Sequence, residues 1–333
     1  MIPFEDASYL AQVTRLRDMA DRALQRYAIR RTACSLINHW ENTTFQVRSK
    51  SGERYVLRIH RPGYHSEAAI LEELRWLARL SAKSSLRVPI PVPSTTGRLL
   101  ERVASPYVPQ ERYSCLLRWI DGRFIRKNPH PAHNRELGKV IAGLHKKASG
   151  VRVIHRRYWD AEGLVGTIPK FGSIDRLGNV STKVQDSLTA GRLLVLRRLT
   201  RFERACPQKL GLIHADLHFD NFLVVEGGFA VIDFDDCGFG FHAYDLAVNL
   251  VSILGDLRAG KEYLRMKDAL IEGYAMEWGW SKSDEEILPL LMTARRFVML
   301  GWLNSRTDHP RLRKRIPGAA SRLVKHLRME YGL

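Results

Sequence analysis

The residues able to do chemistry crowd into one short stretch, 212–236, which reads LIHADLHFDNFLVVEGGFAVIDFDD. The apolar run Leu210, Leu212, Ile213 reads as a strand that delivers His214-Ala215-Asp216, and Asn221 follows five residues after Asp216. The turn signal Glu226-Gly227-Gly228 then leads to a second strand over 229–232, ending at Asp233. Two carboxylates and an amide at the ends of adjacent strands can converge. All are oxygen ligands, a donor set that suits Mg²⁺ rather than zinc. A carboxylate free of metal can accept a proton from a hydroxyl.

The spacing His214-x-Asp216-x4-Asn221, followed by Ile232-Asp233-Phe234-Asp235, resembles the aminoglycoside phosphotransferase and choline kinase-like superfamily, kinases with the protein-kinase fold. The likeness continues through Gly238 and Tyr244-Asp245-Leu246-Ala247. Upstream, NHWENTTFQV (38–47), YVLRIHRPG (55–63) and ILEELRWL (70–77) are similar to the branch holding bacterial stress-response kinase A and type II homoserine kinase. Together these stretches cover roughly residues 35–250.

The resemblance implies an α+β, bilobal protein-kinase-like fold with a small β-rich N-lobe and a larger, mainly helical C-lobe. It implies transfer of the γ-phosphate of ATP, with Mg²⁺, to a hydroxyl on a small metabolite, an amino alcohol or a protein Ser/Thr. Phosphoryl transfer asks for an aligned hydroxyl, clamped phosphates and neutralised charge rather than covalent help. By the resemblance, Asp216 positions the acceptor hydroxyl and takes its proton, while Asn221 and Asp233 hold Mg²⁺ against the phosphates. His214 supports the loop from beneath, and Asp245 caps the next helix and braces the loop backbone. Asp235 stays open between a second metal and a capping or solvated acid, and Asp236 between a hydrogen-bond acceptor and a solvated acid. His218 reads better as a packed or exposed histidine than as a substrate contact.

In the small lobe the position of the kinase lysine is taken by Arg58, in Leu57-Arg58-Ile59. Arginine is not a neutral replacement, but its planar fork can bridge an ATP phosphate and Glu73. Glu72 competes from one register away, and a surface strand residue is the alternative to this reading of Arg58. Alternation along the strand puts Val56 and Arg58 inward and Leu57 outward. The loop expected to cover phosphate has no glycine signature; Glu41-Asn42-Thr43-Thr44-Phe45 stands there, with Asn42 and Thr43 as the candidate contacts. Adenine would meet the backbone of a hinge near Leu117-Arg118-Trp119-Ile120, with Leu117 and Trp119 as its residues; Trp119 reads as packing rather than stacking.

The elements that must position these residues follow from periodicity. A helix is expected over 6–28, a hairpin through Ser51-Gly52-Glu53, and a helix capped by Ser66 that carries Ile70, Leu74, Leu77 and Leu80. Pro89, Pro91 and Pro93 point to an edge strand or connector, and 114–120 to an apolar strand. Helices are expected at Leu137–Leu144 and over 184–202, 244–254, 263–278, 285–303 and 319–329. The expected domains are residues 1–116 as the N-lobe, 117–122 as the hinge and 123–333 as the C-lobe with its catalytic and metal-binding loops.

Composition sets outer limits. The chain has 333 residues, 45% hydrophobic and 26% charged, which excludes collagen-like, long disordered and disulfide-stapled classes. Cys34, Cys115, Cys206 and Cys237 are scattered and form no metal or redox motif. With no signal core and no long apolar run, a cytoplasmic protein without a membrane role is expected. The formal net charge of +18 points to an anionic partner and makes a polycationic acceptor a poor first choice. Basic clusters at Arg152, Arg156 and Arg157, along 192–204 and along 311–328 keep nucleic-acid binding as a weaker alternative, since no recognised motif accompanies them. A nucleotide-binding pseudokinase scaffold is the other alternative, kept by Arg58 and the glycine-poor loop. A homodimer is compatible with the resemblance.

Overall fold

A computed structural model describes all residues except 1, 84–85, 126–128, 152, 168, 170 and 258–259. Arg152 of the first basic cluster thus lies outside the described residues. The chain forms two compact units, residues 1–123 with 225–235, and residues 124–224 with 236–333.

The first unit is built on a mainly antiparallel sheet. Helix α1 (Tyr9–Leu24) precedes strands β1 (Arg31–His39), β2 (Thr43–Ser49) and β3 (Arg54–Ile59); helix α2 (Glu67–Lys83) is followed by β4 (Pro91–Val92), β5 (Glu101–Ser105) and β6 (Val108–Arg118). The strand order is β1-β2-β3-β6-β4, with β5 paired to β6. The proline-marked β4 takes an end of this order, where its missing N–H groups cost no ladder bond. The hairpin at Gly52, with φ +87°, joins β2 to β3, and Ser66 Oγ accepts from Ala69 N at 3.2 Å at the start of α2. The sequence pattern did not suggest β1, whose side chains are mostly exposed, or β5.

The alternation expected along β3 is corrected by its packing. Tyr55, Leu57 and Ile59 sit in a core with Leu16, Met19 and Ala23 of α1 and with Phe45 and Val47 of β2. Leu57 is fully buried there, while Arg58, on the opposite face, is also buried. A strand covered on both faces loses the contrast that alternation reads.

Strand β7 (Arg123–Phe124) leads to the second unit. Its elements are α3 (Pro131–Ala148), β8 (Tyr158–Trp159), α4 (Ala161–Val165), α5 (Thr182–Ala205) and β9 (Leu210–Ile213). Strands β10 (Phe222–Val225) and β11 (Gly228–Val231) then carry the chain out to the first unit, and β12 (Gly238–Phe241) brings it back. Helices α6 (His242–Leu257), α7 (Lys261–Trp278), α8 (Lys282–Asn304), α9 (Pro310–Arg313) and α10 (Ile316–Tyr331) complete the unit. β12 pairs antiparallel with β9 and parallel with β8. Helices α3 and α7 meet across two glycines: a Cβ on Gly138 would lie 2.1 Å from the Leu270 carbonyl oxygen, and one on Gly273 would lie 1.9 Å from that of Arg135.

Helix α8 begins with a capping box. Ser281 Oγ accepts from Asp284 N at 3.4 Å, and Asp284 Oδ2 accepts from Ser281 N at 2.9 Å. Lys209, one residue before β9, donates to Asp284 Oδ2 at 2.5 Å and to Ser281 Oγ at 3.0 Å. Replacing a side-chain cap by alanine costs about 1 kcal/mol. Ser281→Ala is therefore expected to lower the unfolding free energy by about that amount in urea titration, without changing the slope of the transition.

Candidate active site

In the second unit the stretch after β9 is a tight loop pinned by one buried carboxylate. Asp245, in the first turn of α6, accepts from His214 N at 3.0 Å and from Ala215 N at 2.6 Å. Its Oδ2 also meets His145 Nε2 at 3.0 Å, and His145 Nδ1 meets the Tyr274 hydroxyl at 3.0 Å. Ala215 sits at φ +67°, a left-handed conformation costing an L-residue about 1–2 kcal/mol. The charge-assisted bond from Ala215 N to Asp245 offsets that cost. His214 is fully buried, and its Nδ1 accepts from Asp216 N at 3.3 Å.

The loop presents the Asp216 carboxylate with a partner on each oxygen. Arg295 of α8 donates to Oδ1 at 2.7 Å. Oδ2 faces His218 Nε2 at 3.3 Å and Asn221 Nδ2 at 3.3 Å. Burial pushes the Asp216 carboxyl up, but Arg295 and then His218 outweigh it and hold it well below the usual carboxylate range. The same pairing raises His218 against its burial. Asn221 Nδ2 also donates to the Asp216 carbonyl at 2.9 Å. With its nitrogen committed to Asp216, Asn221 has its amide oxygen as the side-chain atom that could serve a metal. The buried Tyr244 lies beside Arg295; burial, with Arg295 pulling the other way, pushes its hydroxyl up to about 12.

The first unit holds the other expected residues. Arg58 of β3 donates to Glu73 Oε1 of α2 at 2.7 Å, which decides between Glu73 and Glu72. Its second terminal nitrogen lies 3.8 Å from Asp235 Oδ1, and His65 Nε2 lies 3.7 Å from the same oxygen. Burial works against both charges. Glu73 nevertheless holds Arg58 well above its ordinary value, and His65 with Arg58 holds Asp235 well below its own. Asp233 follows β11 at φ +63°, and the next ring, Phe234, packs edge-on against Trp76 of α2 at 5.1 Å.

The residues expected to cover phosphate and adenine are placed differently from one another. Asn42 Oδ1 accepts from Arg61 N at 3.3 Å in the β1–β2 turn. Thr43 is buried, and its hydroxyl bonds His39 Nδ1 at 2.8 Å, so it is committed within the unit. Leu117 lies in β6 opposite Val56 of β3. Trp119 N donates to the Arg54 carbonyl at 3.0 Å, and the Arg54 guanidinium covers its ring at 5.5 Å. Arg295, His65, His145 and Tyr274 were not singled out from the sequence. None carries a local motif, and all four reach their partners from other elements.

The family model described as the phosphotransferase enzyme family matches residues 33–284. The chain belongs to that family. This phosphotransferase is 30% identical over 278 residues to a homoserine kinase of Methylobacterium sp. (strain 4-46), covering 79% of this chain and 78% of the relative. Among solved structures it is similar to a microcompartment-associated aminopropanol kinase, with 28% identity and a TM-score of 0.81 over 93% of this chain and 96% of the other. An amicoumacin kinase in complex with AMP-PNP, Ca²⁺ and Ami shares the fold at 19% identity, with a TM-score of 0.73 over 96% of each chain. The phosphotransferase is thus an enzyme of the kinase type with a kinase-like α+β fold. Among the described residues no helix is long and apolar enough to cross a membrane.

Two measurements probe the buried charges of this phosphotransferase. Glu73→Gln removes one side of the Arg58 pair, and breaking a buried pair costs about 3–5 kcal/mol; because Asp235 remains near Arg58, the loss expected in urea unfolding is at the low end. His242, whose ring lies 4.8 Å from that of His145, is lowered from its ordinary 6.5 to about 3, first by burial and then by the His145 charge. Between those values the unfolded chain binds the proton and the folded one does not, so stability rises with pH. This contribution is complete above pH 6.5 and is lost as pH falls toward 3. An unfolding series from about pH 4 to 7 is expected to flatten in His242→Gln.

Proposed function

We propose that the phosphotransferase moves the γ-phosphate of ATP, with Mg²⁺, to the hydroxyl of a small metabolite of the amino alcohol or hydroxy amino acid class. The observation that carries this reading is the Asp216 carboxylate, fixed at both oxygens beside Asn221 in a loop held by Asp245. The homoserine and aminopropanol kinases named above support the acceptor class.

In this reading Asp216 receives the acceptor hydroxyl and aligns it. A carboxylate held below its usual range is a weak base, and that suits the reaction. In a loose transition state the hydroxyl needs alignment early and loses its proton late. Asn221 through its amide oxygen and Asp233 through its carboxylate are the metal ligands, a hard oxygen donor set fitting Mg²⁺. The bound metal and nucleotide supply the phosphoryl group and neutralise its charge. Arg58 holds Glu73 and Asp235 in the unit that takes the nucleotide, and the base meets the hinge past Trp119, whose own N–H is already bound to the Arg54 carbonyl. The net charge of +18 supports an acceptor that is not polycationic.

The test is ADP release from Mg-ATP across a panel of hydroxyl acceptors that includes homoserine and aminopropanol. Turnover is expected with at least one, and Asp216→Asn is expected to reduce it by about 10³-fold or more while AMP-PNP binding is retained. Nucleotide binding without turnover on any acceptor would replace this reading with the pseudokinase scaffold.

A further inference from the structure

We infer that Arg295 is a positioning residue for phosphoryl transfer: it fixes the Asp216 carboxylate in the orientation that receives the acceptor hydroxyl. This rests on the role proposed for Asp216.

β9 is only four residues long, and α8 is tied near both of its ends. Before the strand, Lys209 bonds Asp284 and Ser281 at the start of α8. After it, Asp216 bonds Arg295. Arg295 lies eleven positions after Asp284 in α8, about 16 Å of helix rise, with Pro289 in between. The guanidinium is thereby delivered to Asp216 from a fixed scaffold and not from a mobile loop.

The contacts also divide the carboxylate in a way that suits orientation. Arg295 takes Oδ1 alone, while His218 and Asn221 from the loop itself face Oδ2. Contacts from a helix and from the loop, on different oxygens, define the carboxylate plane and leave further lone pairs for a hydroxyl. Without Arg295 only the loop's own 3.3 Å contacts remain, and the carboxylate can turn about its last bond. Misplacement of a reacting group by about 1 Å is enough to cost about 10²-fold in rate. The Arg295 side chain is 12% exposed, and Asp216 is 23% exposed. Of the two, Asp216 is the side chain more open to an approaching acceptor. An ion pair serving stability alone would have no reason to take an oxygen of the one carboxylate proposed to meet substrate.

The test is a double-mutant cycle of wild type, Arg295→Gln, Asp216→Asn and the double variant. It reads ADP release with homoserine, aminopropanol and water as acceptors. Arg295→Gln is expected to lower kcat about 10- to 100-fold with the KM for ATP unchanged within about twofold. Arg295→Lys, which keeps one charged donor, is expected to recover part of that loss. In the Asp216→Asn background, Arg295→Gln is expected to cost nothing further, because its effect passes through the carboxylate. Equal losses in both backgrounds, or a rise in the KM for ATP matching the fall in kcat, would overturn the inference. Thermal unfolding of the same four proteins reads the pair without any acceptor, and independent effects there would overturn the contact. If wild type turns over none of the three acceptors and no acceptor of the wider panel either, the proposed function falls. Arg295 then has no catalytic role, and coupled stabilities would mark a purely structural pair.

Discussion

One buried carboxylate decides whether the loop after β9 exists in its working shape. Asp245 accepts two consecutive backbone N–H groups, those of His214 and Ala215, and a ring nitrogen of His145. A buried carboxylate is costly unless its oxygens are hydrogen-bonded, and here three donors engage both of them. Both N–H groups point at this one carboxylate, and Ala215 at φ +67° turns the chain sharply just after the second of them. The bend aims Asp216 away from the core while His214 stays inside. The electrostatics of the loop thus settle its backbone, and its backbone settles where the Asp216 carboxylate points.

The first unit solves a related problem with a cation. Arg58 stands where relatives of this fold are expected to carry lysine, and its flat guanidinium lies between two acids from different segments, Glu73 and Asp235. Asp235 was open between metal ligand and capping acid on sequence grounds; in the fold it lies against Arg58 and His65. A single cation thereby ties β3, α2 and the segment after β11 into one buried cluster. A lysine, with a smaller head and no second arm, would serve two such acids less well.

What the sequence made legible divides along the distance over which each interaction acts. The H-x-D-x4-N spacing, the strand before it and the Ser66 cap are local, and each is visible in the order of residues. The four large helices after β9 and α5 before it were legible because apolar residues recur at helical spacing over many turns. β1 escaped because its exposed side chains carry no hydrophobic signal. Leu57 was turned the wrong way because both faces of β3 are covered. Arg295 could not be found at all: the neighbouring Arg296 is the same residue type on the same helix, and only the fold says which of them meets Asp216. Long-range charge pairing leaves no local trace in a sequence this rich in arginine.

The paired glycines of α3 and α7 have a consequence beyond packing. α3 carries His145 and α7 carries Tyr274, the two side chains that reach Asp245 in series. The depth to which the two helices nest is set by the absence of a side chain at Gly138 and Gly273. That depth is also the length of the relay from Tyr274 to His145 to Asp245. Hydrogen bonds weaken within a few tenths of an ångström, whereas helices shift by whole methyl groups. The geometry of the loop after β9 is therefore calibrated at a helix crossing far from it in sequence, by two residues with no chemistry of their own.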